Sequence, residues 1–167
     1  RMQSLSEHIE GSEEAVNPLD VAEELSKYNK WRYHRLSDER LGIRVKGRHQ
    51  VYMISMVWDE DNAVLQFSCK IDIAFDEKSA KSLPVALMDI NNTLWLGHFI
   101  AAQGKNIAYR YTSFLCETLN SDCLQDLIKT AVSECDRLYP LFQMLADHDI
   151  RDRQKLCLAA MDSEGCA

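Results

Sequence analysis

The stretch VYMISMVWDEDNAVLQFSCKIDIAF, residues 51–75, decides the fold of this chain. Residues 51–58 are almost all apolar, which is typical of a central strand that is covered on both faces. Residues 63–75 alternate instead, because every second side chain from Leu65 to Phe75 is apolar and those between are mainly polar. The four residues DEDN between the two runs suit a tight turn. The stretch therefore predicts an antiparallel hairpin at the centre of a sheet.

Two further strands are predicted before this hairpin, at residues 31–36 and 41–45. The short polar segment KGRH leads from the second of them into the central hairpin, so four strands should form an antiparallel meander. A helix precedes them, because Asn17 suits an N-cap and Pro18 suits the first helical position. We expect this helix to end near Tyr28.

A second helix should begin after the capping residue Asp76. Pro84 should kink this helix or break it in two, and Gly97 suits a left-handed cap at its end. A second hairpin follows, in which the turn QGKN joins the strands HFIAA and IAYRYTSFL.

A long third helix completes the pattern; Asn120 or Ser121 should cap it and Pro140 should bend it. The order of elements is therefore α-ββββ-α-ββ-α, with the strands in runs. This order indicates the α+β class, with an antiparallel sheet of about five to six strands and helices packed mainly on one face. Another short helix is predicted at residues 151–161.

The chain should form one domain, since 167 residues suit a single core. We assign this domain to residues 17–162. Residues 1–16 are polar and acidic and are expected to be a mobile tail, and residues 163–167 a frayed C-terminus.

The net charge of −7 argues against a nucleic-acid partner, which needs a basic face, and against anionic membrane surfaces. The sequence holds no apolar run long enough to span a bilayer. The N-terminal residues lack the features of a secretory signal. We therefore expect a cytoplasmic protein.

The chain has six cysteines, none of them in a C-x-x-C pair, so free thiols are expected in a reducing compartment. Cys69 and Cys135 fall on apolar faces and should pack in the core. Cys116 and Cys123 lie around a turn, and a regulatory disulfide between them is the less favoured alternative.

No metal or cofactor site is predicted. The acidic segment at 59–62 fails as a calcium loop, because Val64 and Lys70 occupy the positions that need glycine and a carboxylate. The segment DHD at 147–149 suits the polar end of a helix.

The segment LWLGHF, residues 94–99, has two possible interpretations, one functional and one structural. In one, His98 is a base or a metal ligand. In the other, which we favour, Trp95 and Leu94 pack the helix end, Gly97 reverses the chain, and a half-buried His98 begins the next strand.

Three blocks, LQFSC (65–69), INNTLWLGHF (90–99) and SECDRLYPLFQ (133–143), together resemble the YbjN family of bacterial sensory transduction regulators. The resemblance covers roughly residues 17–145. It implies a fold similar to that of type III secretion chaperones, which are small, acidic, dimeric α+β proteins. It also implies no catalytic residues and no cofactor. The residues that mark the resemblance structurally are Trp95, Gly97, His98, Cys135, Tyr139 and Pro140.

Residues 51–58 are apolar on both faces, and a single layer of helices cannot bury both. We therefore expect part of this strand to remain exposed and to form a surface for a homodimer or a protein partner. The residues assigned to that surface are Tyr52, Ile54, Met56, Trp58, Tyr109 and Tyr111.

The sequence thus favours a non-enzymatic, cytosolic protein-binding module, either a regulator or a chaperone-like protein. The alternative is a small-molecule-binding domain or a small enzyme. Its site would be assembled from distant residues around His98 and either Arg110 or Arg137.

Overall fold

A computed structural model describes residues 16–115 and 120–147 of the chain. The predicted helix at 151–161, the predicted C-terminal end at 163–167 and nearly all of the predicted acidic tail lie outside the described residues, as does Cys116. The division of the chain into tail, domain and frayed end stays a prediction.

The elements of the described part follow the predicted order. They are α1 (Pro18–Asn29), β1 (Arg32–Ser37), β2 (Arg40–Lys46), β3 (Val51–Asp59), β4 (Val64–Lys70), α2 (Glu77–Asn91), β5 (His98–Ala102), β6 (Asn106–Phe114) and α3 (Ser121–Asp147). The six strands form one sheet in the order β1-β2-β3-β4-β6-β5, and every neighbouring pair is antiparallel. The α+β prediction is confirmed.

The N-terminal caps of the helices form as expected. The Asn17 side chain accepts a hydrogen bond from the Leu19 amide, and Asp76 accepts one from the Ser79 amide. Asn120, the first of the two candidates, caps α3 by accepting from the Asp122 amide. These side chains satisfy backbone donors that have no partner within the helix.

The two prolines lie inside helices without dividing them. Pro84 lies in the middle of α2 and Pro140 near the end of α3, and each helix continues through its proline as one element. The predicted break of the second helix does not occur. Both proline rings are exposed, so neither has to fit into the core.

The core lies between the sheet and the helices, which contact one another and the sheet from one side. In β3 the residues that face the helices are Tyr52, Ile54, Met56 and Trp58, and none is more than 7% exposed. Tyr109 of β6 is fully buried, and Tyr111 is half-buried against the same core. The prediction that these residues form an exposed surface is therefore wrong, because helices of the same chain cover that face.

The segment between α2 and β5 also differs from the prediction. The helix ends at Asn91, and its C-cap Asn92 is right-handed, so Gly97 does not cap it. Gly97 nevertheless has a φ of +68°, in the bend just before β5. A Cβ atom there would overlap the ring and hydroxyl of Tyr109. Gly97 is therefore required both by its backbone conformation and by the closeness of Tyr109.

We predict that Gly97→Ala lowers the free energy of unfolding more than Gly104→Ala does. Both glycines have positive φ, but a Cβ at Gly104 meets nothing within 4 Å. Each substitution should carry a backbone cost of about 1 kcal/mol. The overlap with Tyr109 should add at least about 1 kcal/mol at position 97 only. Urea unfolding of the two variants measures the difference, and equal losses would contradict the close approach.

Candidate functional site

A single carboxylate on α3 holds the turn between β2 and β3. Asp136 accepts hydrogen bonds from the Arg48 amide at 2.8 Å, the His49 amide at 3.3 Å and the Tyr52 hydroxyl at 2.7 Å. A Cβ atom at Gly47 would overlap the Tyr52 ring and approach this carboxylate to 2.8 Å. We call Asp136, Tyr52 and residues 47–49 the Asp136 clasp.

The protonation states in the Asp136 clasp follow from these contacts. Partial burial alone would raise the pKa of Asp136, but the hydrogen bonds from Arg48, Tyr52 and His49 together lower it below 3.8. Burial, followed by the hydrogen bond to Asp136, raises the pKa of the Tyr52 hydroxyl. Asp136 is thus an ionised acceptor already occupied by donors, which makes it a poor general base.

Other residues of the block SECDRLYPLFQ strengthen the same junction. The Tyr139 ring stacks on His49, with ring centroids 4.8 Å apart and an interplanar angle of 7°. Next to Asp136, the buried thiol of Cys135 lies 3.7 Å from the buried thiol of Cys69 on β4. This contact and burial raise the pKa of Cys135, so its thiol stays protonated and unreactive. These residues therefore hold α3 on the sheet.

The segment LWLGHF is placed by contacts that the sequence did not predict. Asn91 at the end of α2 accepts from the Phe99 amide at 2.7 Å and donates to the Phe99 carbonyl at 2.9 Å. The Tyr109 hydroxyl donates to the Leu96 carbonyl at 2.5 Å, and burial raises the pKa of Tyr109 to about 12. In the block INNTLWLGHF, the signal that sequence analysis missed is Asn91, because its side-chain amide bonds both backbone groups of Phe99.

Two side chains of this segment are more exposed than predicted. Trp95 is fully exposed, so the prediction that it packs the helix end is wrong; Leu94 alone packs against the core. His98 is exposed rather than half-buried. The bonds from Asn91 and Tyr109 fix the backbone on the core side, which leaves the Trp95 ring in solvent.

The alternative site is only partly assembled. His98 and Arg110 are directly paired residues of β5 and β6, on the face of the sheet turned away from the helices. Arg137 lies on α3, on the other side of the sheet, where its guanidinium group bonds the Glu134 carboxylate. The structure therefore brings His98 to Arg110 and not to Arg137.

The face of the sheet turned away from the helices is not covered by any described element, and we call it the open face. Its strand positions alternate with the buried ones, and the apolar side chains among them include Leu36, Val51, Met53 and Phe114, which are exposed. Its basic strand residues are Arg32, Arg40, Arg44, Lys46, Lys70 and Arg110. At one end a hollow of about 530 Å³ lies beside Gly42.

A second exposed apolar surface lies on the helical side. Val85 and Met88 are one turn apart on the outer face of α2, and each is 61% exposed. Trp95 and Leu96 follow the helix and are also exposed. We call these four residues the α2 patch.

Comparison with known proteins assigns the chain to a family. Residues 18–144 match the YbjN family, described as "Putative bacterial sensory transduction regulator". Because this match covers most of the chain, the chain belongs to the YbjN family. No curated protein and no solved structure matches it, so the likeness to type III secretion chaperones stays a prediction.

No group of three or more His, Cys, Asp or Glu side chains in the ranges 16–115 and 120–147 is arranged to hold a metal ion. Within the same ranges, no helix has the length and apolar character needed to cross a membrane.

We predict that Asp136→Asn lowers the free energy of unfolding at neutral pH. The variant should also lose less stability than the wild type as the pH falls. Since the folded-state pKa of Asp136 is lowered, its contribution is complete above the unfolded-state value of about 4 and is lost as pH falls through the folded-state value. Urea unfolding of both proteins from pH 7 to pH 2.5 should show a difference that shrinks with acid. A constant difference would contradict the assignment.

We also predict that Cys69 and Cys135 are protected thiols. N-ethylmaleimide should modify the exposed Cys123 quickly in the folded protein, and should modify Cys69 and Cys135 only after unfolding. Peptide mapping by mass spectrometry distinguishes the three sites. Rapid modification of Cys135 in the folded protein would show that its thiol is neither buried nor protonated.

Proposed function

We propose that this protein is a non-enzymatic regulator or chaperone-like protein of the cytoplasm that acts by binding other proteins. Membership of a family of sensory transduction regulators supports a regulatory role. The observation that carries the proposal is the fully exposed Trp95, held in solvent by a segment whose backbone is bonded to the core. Tryptophan is enriched among the residues that contribute most to protein–protein binding.

The α2 patch is the surface we propose for this binding. Its four members are two aliphatic side chains, a methionine and a tryptophan, and methionine and aromatic side chains are common at protein interfaces. Exposed apolar surface of this kind usually marks an interaction site on a small protein. The proposal replaces the surface predicted on β3, which lies in the core.

We also propose that the protein forms a homodimer through the α2 patch. A two-fold axis beside α2 would bring the same side chains of two copies together, and would remove Trp95 from water in both. The sheet edges at β1 and β5 would then remain available.

The alternative, an enzyme, has less support, because the candidate reactive side chains of the described residues are poorly suited to catalysis. The buried thiol of Cys135 is protonated, and Asp136 is already saturated with donors. His98 has Arg110 as its paired neighbour on the next strand, which supplies no nucleophile.

We predict that Trp95→Ala weakens self-association at least about tenfold without lowering stability, because the side chain contributes nothing to the core. Sedimentation equilibrium at micromolar concentration measures the association. Phe114→Ala is the matched control: its ring is 72% exposed but lies on the open face.

A wild-type protein that is strictly monomeric would overturn the dimer. Affinity capture from the native cell, with wild type and Trp95→Ala compared by mass spectrometry, tests the wider role. Identical captured proteins would show that the α2 patch does not bind partners.

A further inference from the structure

The open face contains a trough that crosses the strands. In the register of the sheet, Gly42, Ser55 and Ser68 lie in one row across β2, β3 and β4. Larger residues occupy the rows on either side, so the row of small residues is the floor. His34 closes it at the β1 end, and Arg110 with His98 closes it at the other.

The walls of the trough are basic and aliphatic. One wall is the row that contains Arg32, Arg44, Met53 and Lys70. The opposite wall contains Arg40, Val57 and Gln66. The hollow of about 530 Å³ lies at the β1 end of this trough, lined by side chains that include Arg32, His34, Arg44 and Met53.

The charge of the trough contrasts with that of the chain. The whole chain carries −7, yet the floor and both walls contain no Asp or Glu. Within the described part, no ion pair involves Arg32, Arg40, Arg44, Lys70 or Arg110. Arg32 and Arg44 are also directly opposite each other, an arrangement that costs free energy unless an anion lies between them.

We propose that the trough binds an extended, acidic segment of a partner protein, with carboxylates toward the arginines and apolar side chains toward Met53 and Val57. From β1 to β6 the sheet has four strand spacings of about 4.8 Å, which gives a trough of roughly 19 Å that an extended segment of about five or six residues would fill. This inference rests on the proposed protein-binding role and adds a second surface with a partner of defined chemistry.

The side chains of the walls favour a peptide over a single-stranded nucleic acid. Nucleic-acid grooves combine positive charge with aromatic platforms on which successive bases stack. Here aliphatic side chains such as Met53 and Val57 lie between the cations, and the imidazoles lie only at the two ends.

Gly42 allows the trough to be blocked without disturbing the fold. A Cβ atom at this position meets nothing closer than 4.0 Å, and its backbone is not left-handed. A glycine in the middle of a strand adds no packing, and it often marks the close approach of a ligand. Gly42→Val should therefore keep or raise stability while filling the floor of the trough.

The probe is a fluorescein-labelled decapeptide of alternating Glu and Leu, with a matched peptide of alternating Lys and Leu. Fluorescence anisotropy with the full chain should show binding of the acidic peptide only, weakened between 50 and 200 mM salt. Arg44→Glu and Gly42→Val should each weaken binding at least about tenfold. Lys81→Glu, an equal charge change on the exposed surface of α2, should leave it within about twofold.

Unchanged binding in both Arg44→Glu and Gly42→Val would overturn the proposal. Tighter binding of a fluorescein-labelled ten-nucleotide thymidine strand would assign the trough to nucleic acid instead. A change in oligomeric state in Arg44→Glu would assign it to a second copy. If the acidic peptide fails to bind while Trp95→Ala still loses partners, the trough assignment fails and the protein-binding role does not.

Discussion

The carboxylate of Asp136 is the contact on which the arrangement of layers depends. It joins the longest helix to the turn between two neighbouring strands of the sheet, through two backbone amides and one buried hydroxyl. Hydrogen bonds to a charged acceptor are stronger than those between neutral groups, and an unpaired buried donor is costly. Any other placement of α3 would leave the Tyr52 hydroxyl without this partner. The carboxylate therefore selects the face of β3 that the helices cover, and in doing so leaves the other face open.

Sequence patterns predicted the helices and strands well, but they predicted poorly which side chains point into the core. Alternation, caps and turn residues identified the strands, the starts of the helices and their order, because these depend on local chemistry. Strand β3 has apolar residues on both faces, and Ser55 was the one polar residue within residues 51–58 that marked the exposed face, so Tyr52 was assigned to the wrong side. The deciding partner of Tyr52 is 84 residues away in Asp136, a distance that no local pattern spans. Trp95 was misplaced for a related reason: its position depends on bonds made by Asn91 and Tyr109.

Net charge was a misleading guide to the surface. The total of −7 suggested that no basic face exists, but the total sums over all sides of the molecule. Much of the acidic charge of the described part lies on the helices and turns, where Asp20 and Glu23 bind Arg35, and Glu134 binds Arg137. The open face keeps its cations unneutralised because alternation in strands separates residues onto opposite sides. The electrostatic field of a charged face extends over about a Debye length. A bound partner therefore experiences the positive charge of the open face rather than the net negative charge of the whole chain.

The two candidate surfaces differ in chemistry and are formed by different parts of the chain. The α2 patch is apolar and belongs to the helical layer, whereas the trough is basic and is formed by the strands alone. The buried layer between them contains the Cys69–Cys135 contact and the Asp136 clasp, which are packed and fully bonded. Such a layer transmits little movement unless it has two packings, so the simplest expectation is that the two surfaces bind independently.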